Sequence, residues 1–280
     1  MSARPDRYAV LGNPVAHSRS PFIHAEFARQ TGQAVEYGRV LCPLDGFEAA
    51  VRAFAAEGAR GCNVTVPFKF DAPRLAAHVS GRAALAGAAN VLRFDDDGWH
   101  ADNTDGVGLV IDILANAGVP IEGARVLLVG AGGAAAGVLG PLLEQRPAAL
   151  VVANRTADKA RALVERHAAR AGACSLQAHG LHDPGTGFDL VVNASASSLG
   201  AAPPPVHARV LRPGALAVDL MYGPQADPFL RWAESHGAIG RDGLGMLVEQ
   251  AAEAFAFWRG VRPLTAPVLK ALRRQLAATA

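Results

Sequence analysis

The 280-residue chain is poor in cysteine, with only Cys42, Cys62 and Cys174. They are widely spaced and odd in number, form no C-x-x-C pair and fit no metal-ligand pattern. That argues against a disulfide scaffold or a zinc module, and the thiols read as reduced and partly buried. Net charge is nearly absent, at +2. No lysine/arginine block interleaves with aromatic residues, which leaves no nucleic-acid footprint. No run of about 18 apolar residues occurs anywhere. The opening "MSARPDRYAVLG" has no long apolar stretch, so neither a secretion signal nor a membrane span is expected, and the setting reads as cytoplasmic. There the glycosylation sequons at Asn63, Asn154 and Asn193 are idle. No repeat of fixed period is present, and the histidines form no metal spacing, so no metal is expected.

What remains is a soluble, globular composition: half the residues are hydrophobic and 19% are charged. The first hundred alternate strand-like and helix-like segments. Residues 8–12 read as a buried strand stopped by Gly12 and Pro14. Residues 20–32 read as a helix with Ser20 as N-cap, Pro21 in the first turn, Phe22, Ile23 and Phe27 on one face, and Gly32 after its end. A strand over 35–41, a helix over 44–58 capped by Asp45 and ended by Gly58, and a strand over 63–67 follow. Residues 90–103 pattern as a hairpin around Asp95-Asp96-Asp97-Gly98. After a helix over 103–118 the chain turns regular, with short apolar strands at 125–130, 148–154, 188–195 and 215–221. Helical stretches between most of them predict a parallel sheet covered on both faces. Two helices, 244–260 and 265–278, close the chain, and the proline-rich 200–207 reads as a surface loop.

"VLLVGAGGAAAG" follows one of these strands and opens a helix, with Gly130, Gly132 and Ala135 in the pattern G-x-G-x-x-A. The first glycine permits the tight turn, the second lets backbone approach a pyrophosphate, and the small third residue allows close helix–strand packing. The loop Gly130, Ala131, Gly132, Gly133 and Ala134 then faces the phosphates from a helix N-terminus. The next strand ends in Asn154, Arg155 and Thr156, with Lys159 just beyond. An acid there would select NAD through the ribose 2′-hydroxyl; its absence and the arginine favour NADP(H). Thr156 as a helix cap beside a solvated Arg155 is the plainer reading of the same residues.

Three polar clusters in the first hundred residues suit scaffolding poorly. "NPVAHSRS" puts Ser18 and Ser20 at a helix start, where a carboxylate is welcome, although Ser20 as a mere cap competes. "NVTVPFK" carries Asn63, Thr65 and Lys69, the last of which alone would pass for a surface lysine. "AAN" at 88–90 and "DNTDG" at 102–106 form the third. The remaining histidines, the 95–97 acidic turn, Trp232 and Trp258 read as solvated or packing residues.

Taken in order, "GNPVAHSRSPFIH", "NVTVPFK", "DNTDGVGL", "LLVGAGGAAAGVL", "NRTADKA" and "DGLGMLVEQAA" resemble the shikimate dehydrogenase family over nearly the whole chain. The resemblance implies a two-domain α/β fold. A substrate domain, 1–104, is completed by the helices of 244–280; a Rossmann-type NADP domain spans 105–243, with the active site in a cleft between them. It implies NADPH-linked reduction of 3-dehydroshikimate to shikimate, in aromatic amino-acid biosynthesis, by a monomer or homodimer. Lys69 and Asp105 correspond to the catalytic pair. Ser18, Ser20, Asn63, Thr65, Asn90, Tyr222 and Gln250 correspond to the substrate groups, Gly243 to a backbone contact with the nicotinamide, and Met246 to its apolar neighbour.

The chain departs from many relatives at Val91, where they have threonine after the asparagine, and at Ser195, where they have threonine. The first change removes a hydroxyl near the substrate-side Asn90. Two rivals are a quinate-accepting, often NAD-linked relative, and a sensor that kept the fold without turnover. Serine at both 18 and 20, the missing acid at 154 and the intact Lys69–Asp105 pair argue against them.

Overall fold

The computed structural model of the chain describes residues 4–195, 197 and 205–278; most of the proline-rich 200–207 stretch lies outside them. Packing divides the chain into two units. One runs to Gly108 and resumes over Val248–Gln275; the other spans Leu109–Leu247.

The first unit is built on a six-stranded mixed sheet of β1 (Asp6–Gly12), β2 (Val35–Leu41), β3 (Gly61–Val64), β4 (His78–Val79), β5 (Val91–Asp95) and β6 (Gly98–Asp102), in the order β2-β1-β3-β5-β6-β4. β1 pairs in parallel with β2 and β3, whereas β5 and β6 form the hairpin that the acidic turn predicts. The short β4, which the sequence pattern does not reveal, joins β6 in parallel and sets His78 opposite His100.

Helices α1 (Ser20–Thr31), α2 (Phe47–Ala56) and α3 (Gly81–Ala86) connect these strands. Leu11, Phe47, Val51, Phe54, Cys62, Phe68 and Leu92 pack together on one side. Burial pushes the Cys62 thiol up, so it stays protonated. Trp258 packs as expected, 4.6 Å from the Tyr8 ring, with Nε1 donating to the Leu92 carbonyl at 2.9 Å.

Two caps differ from expectation. Ser20 is the first helical residue rather than the N-cap, because Arg19 already has helical angles (φ −90°, ψ −1°). Asp45 sits inside a turn closed by Gly46 N–H on the Pro43 carbonyl, so α2 begins only at Phe47. Gly32 does end α1 in the left-handed region, where glycine carries no penalty. β3 is shorter than 63–67: Thr65 already accepts from Phe68 N–H in the next turn.

The second unit carries six parallel strands, β7 (Arg125–Val129), β8 (Ala149–Asn154), β9 (Ser175–Gly180), β10 (Phe188–Asn193), β11 (Leu211–Asp219) and β12 (Ile239–Arg241), in the order β12-β11-β10-β7-β8-β9. This is the doubly wound dinucleotide order, with its switch point between β7 and β10. Helices α5 (Gly133–Glu144), α6 (Ala157–His167) and α7 (Asp227–Ser235) link strands of this sheet. The near-continuous apolar central strands β7, β8 and β10 are largely buried, as inner strands of a parallel sheet require, while the edge strands β9 and β12 are partly exposed. α4 (Asp105–Ile111) carries the chain from the first unit into the second and continues as a π-helical turn over Asp112–Asn116. α8 (Leu244–Arg259) carries it back, before α9 (Ala266–Ala277). Among the described residues no helix is long and apolar enough to cross a membrane.

Candidate functional site

The lysine past the end of β3 is held from both sides. Pro67 precedes a 3₁₀ turn, Phe68–Phe70, that carries it. Phe68 is buried and stacks on Phe47 with ring centres 4.6 Å apart. The Lys69 carbonyl accepts from Ala89 N–H at 2.8 Å. With its backbone so fixed, the ammonium donates to Asp105 Oδ2 at 2.5 Å. The Lys69 side chain is 13% exposed and that of Asp105 5%. Asp105 opens α4, where the free N–H groups favour a carboxylate.

Asn90 organises this pair. Its Nδ2 lies 2.9 Å from Asp105 Oδ1, 2.9 Å from Thr104 Oγ1 and 3.1 Å from Gln250 Oε1. Its Oδ1 accepts from Thr104 N–H at 2.8 Å. Asp105 N–H donates in turn to Asn103 Oδ1. One buried amide thus fixes the carboxylate that fixes the ammonium, and joins Gln250 of α8 to both.

A polar line continues away from Asn90. Asn63 donates to the Asn90 carbonyl at 3.1 Å and accepts from the Tyr37 hydroxyl at 2.7 Å. Ser18 and Ser20 have their hydroxyls 3.2 Å apart at the start of α1, and the Arg39 guanidinium donates to the Ser18 carbonyl. Thr65 is placed by Gly12: a Cβ on Gly12 would overlap the Thr65 methyl, and Thr65 N–H donates to the Leu11 carbonyl at 2.9 Å. The first unit therefore gathers Asn63, Asn90, Asp105, Lys69 and Gln250 into one network, with the serine pair and Thr65 at the ends of neighbouring elements. Tyr222, Gly243 and Met246 belong to the second unit.

Sequence reasoning missed several members of this network. Tyr37 reads as an ordinary strand aromatic, and nothing local marks it as the partner of Asn63. Asp102 anchors the loop before Asp105: it accepts from Ser80 Oγ at 2.5 Å, from Arg82 Nε and Nη2 at 2.7 and 2.5 Å, and from Asn103 N–H at 2.7 Å. Burial pushes its carboxyl up, but the Arg82 and Ser80 hydrogen bonds and the Arg82 charge outweigh that and hold it below the usual carboxylate range.

Behind Tyr37 stands His24, fully buried and stacked on it at 4.1 Å and 8°, with Phe27, Phe255 and Trp258 around it. Among the described residues neither ring nitrogen has a hydrogen-bond partner. Burial, only partly opposed by the nearby Asn63 side chain, drives its pKa from 6.5 to about 3. The unfolded chain therefore takes up a proton below about pH 6.5 that the native state refuses. The stability this contributes is complete above that pH and is lost on acidification towards about 3, with a limiting slope of about 1.4 kcal/mol per pH unit. His24→Phe is expected to flatten denaturant-derived stability between pH 7 and 5 relative to wild type. Equal slopes for the two proteins would exclude His24 as the source.

In the second unit Gly130 follows β7 at φ +115°, and a Cβ there would lie 2.8 Å from the Ala194 carbonyl beyond β10. The glycine loop thus sits at the switch point itself. Gly132 caps α5, and a Cβ added to it would meet nothing within 4 Å, leaving its backbone open to a phosphate. Ala131 precedes this cap, Gly133 and Ala134 open the first turn of α5, and Ala135 is buried as the small packing residue.

Gly130 N–H donates to the Ala153 carbonyl, which ties the loop to the end of β8. There Asn154 Nδ2 bonds the Thr156 carbonyl at 2.9 Å, while Arg155, Thr156 and Lys159 are exposed. Thr156 does occupy the cap position of α6, without a side-chain cap bond. The bare loop, the open helix N-terminus and a cation in place of an acid fit a dinucleotide with a 2′-phosphate. Beyond β11, Gly243 N–H donates to the Met221 carbonyl at 2.8 Å, and a side chain on Gly243 would overlap the Leu220 carbonyl.

Comparison with known proteins agrees across both units. Residues 10–92 match the model of the shikimate dehydrogenase substrate binding domain, 113–203 that of shikimate / quinate 5-dehydrogenase, and 243–273 that of the shikimate 5′-dehydrogenase C-terminal domain. The chain is 66% identical to shikimate dehydrogenase (NADP(+)) of Methylibium petroleiphilum, over 97% of this chain and 95% of that one. It resembles the crystal structure of the Ael1 enzyme of Pseudomonas putida with a TM-score of 0.87 and 49% identity, covering 95% and 98% of the two chains. It also resembles shikimate 5-dehydrogenase of Thermus thermophilus, solved with NADP(H) and shikimate, with a TM-score of 0.83 and 32% identity, covering 96% and 99%.

Proposed function

The chain belongs to the shikimate dehydrogenase family, and we propose that it interconverts 3-dehydroshikimate and shikimate with NADP(H), using Lys69 and Asp105 at the reacting oxygen. The observation that carries the roles is the 2.5 Å pair of a half-buried Lys69 and a buried Asp105. NADPH, when bound, supplies the hydride. As the carbonyl carbon is reduced, negative charge grows on its oxygen, and the Lys69 ammonium stabilises that charge and donates the proton. Asp105 keeps the ammonium aimed, and Asn90 keeps Asp105 in place. In the oxidative direction Lys69 receives the hydroxyl proton.

Ser18 and Ser20, at the open end of α1, take the substrate carboxylate, and Asn63, Thr65, Asn90, Gln250 and Tyr222 take its hydroxyls. Gly130 to Ala134 hold the pyrophosphate, and Asn154, Arg155, Thr156 and Lys159 the 2′-phosphate side. Gly243 and Met246 border the nicotinamide. The buried free cysteines suit a reducing cytoplasm, where the chain acts as a monomer or homodimer.

The test is a rate matrix of shikimate and quinate, each with NADP and NAD. Activity confined to shikimate with NADP supports the reading. Comparable rates with quinate or NAD would move the chain to the quinate-accepting branch, and no turnover despite NADP binding would favour a sensor. Arg155→Ala is expected to weaken NADP binding by about 1.5–3 kcal/mol, the range of a charge-assisted hydrogen bond, and to leave NAD binding unchanged. Equal losses with both cofactors in a fluorescence titration would exclude the 2′-phosphate role.

A further inference from the structure

Spacing alone separates His78 from His100, but the β4–β6 pairing sets them opposite each other on adjoining strands. Their ring centres lie 4.4 Å apart at 31°. The β5–β6 turn adds Asp97, and ligand atoms of His78, Asp97 and His100 all fall within 4.8 Å of one another. The turn closes through Gly98 at φ +126°, where a Cβ would lie 2.8 Å from that of Ala77, the residue before His78. We propose that His78, Asp97 and His100 form a binding site for a divalent first-row transition cation, with zinc(II) as its best occupant, on the β4 edge of the first unit. Such a site departs from the sequence expectation that no metal is held.

Two imidazoles and a carboxylate are donors that zinc, cobalt, nickel and copper accept and that magnesium and calcium disfavour. Donors about 2.0–2.1 Å from a tetrahedral zinc sit about 3.4 Å from each other. His78 and Asp97 are exposed, so rotation of their side chains closes the set while the sheet stays in place. Two carboxylates surround the His100 ring: Asp97 Oδ1 is 3.7 Å from Nε2, and Asp95 Oδ2 is 3.5 Å from it. Asp95 is engaged by Arg93 Nε at 2.6 Å, which offsets part of its charge and leaves it outside the donor set. A bound ion ties the two-residue edge strand to the hairpin, and so favours the folded state over the unfolded.

The test is calorimetric titration of the full chain with zinc chloride in a non-chelating buffer at neutral pH, alongside thermal melts with and without the metal. One ion per chain is expected, with a rise in Tm. His78→Ala, His100→Ala and Asp97→Asn are each expected to weaken binding by at least about tenfold, since even outer-shell losses cost that much. They are also expected to remove the metal-induced rise in Tm. An unchanged metal-free Tm for His78→Ala, an exposed position, separates loss of the site from loss of the fold. Absence of saturable binding to wild type, or undiminished binding in any of the three variants, overturns the site.

Discussion

Lys69→Ala is expected to lower kcat by roughly 10²–10⁴-fold, the span of a lost proton donor and charge-stabilising group, while NADPH binds almost as before. The two effects separate because the residue sits on the first unit's 3₁₀ turn, whereas the glycine loop and Arg155 lie on the second unit. The substrate KM is expected to change far less than kcat, since charge on the carbonyl oxygen develops only as hydride arrives. Asp105→Asn tests the partner. It retains a side chain of the same shape but removes the charge opposing the ammonium, and its single oxygen can accept from Lys69 or from Asn90 but not from both, so kcat falls. Steady-state rates with shikimate and NADP, together with direct NADPH titration, give both quantities. Near-normal turnover in Lys69→Ala would remove it from the mechanism and leave the pair as a structural bridge.

The parts of the molecule that were legible in the sequence are those whose constraint is local. Gly130 must adopt a positive φ directly after an apolar strand, and Gly32 must end a helix in the left-handed region; glycine meets both requirements without strain. The same holds for the acidic turn of the β5–β6 hairpin. Caps were less legible, because Ser20 and Asp45 are good cap residues that the preceding turns displaced. The site was half legible. Lys69, Asp105 and Gln250 could be named by resemblance, but the reason they meet is the amide of Asn90, whose three contacts span 14, 15 and 160 residues. Tyr37 behind Asn63, His24 behind Tyr37, and His78 opposite His100 depend on strand register and on how helices pack on the sheet, which no local pattern encodes. Arg241 and Asp112, 129 residues apart, belong to the same class.

Gly245→Ala is expected to destabilise the chain by about 3 kcal/mol or more, the penalty associated with breaking a buried ion pair. On helix propensity alone the sign would be opposite, since alanine is favoured over glycine by up to about 0.8–1 kcal/mol, the helix-interior value, and Gly245 stands in the first turn of α8. The difference lies in what faces the position. A Cβ on Gly245 would overlap the carboxylate of Asp112, which is completely buried and grips the Arg241 guanidinium at 2.7 and 2.5 Å. That hydrogen bond, together with the Asp112 charge, outweighs burial and raises the Arg241 pKa, so the arginine keeps its charge and needs its partner. The carboxylate has little room to retreat: Asn116 Nδ2 donates to Oδ1 at 3.0 Å, and the side chain stands at the start of a π-helical turn. The new methyl must therefore shift α8 or break the pair. A double-mutant cycle distinguishes this from a general packing cost. In the Asp112→Ala background, already destabilised by an unpaired Arg241, Gly245→Ala is expected to cost little or to stabilise, giving a coupling of at least about 2 kcal/mol. Urea denaturation of the four proteins measures it; a stabilised Gly245→Ala single variant would show that helix propensity, not the buried carboxylate, governs the position.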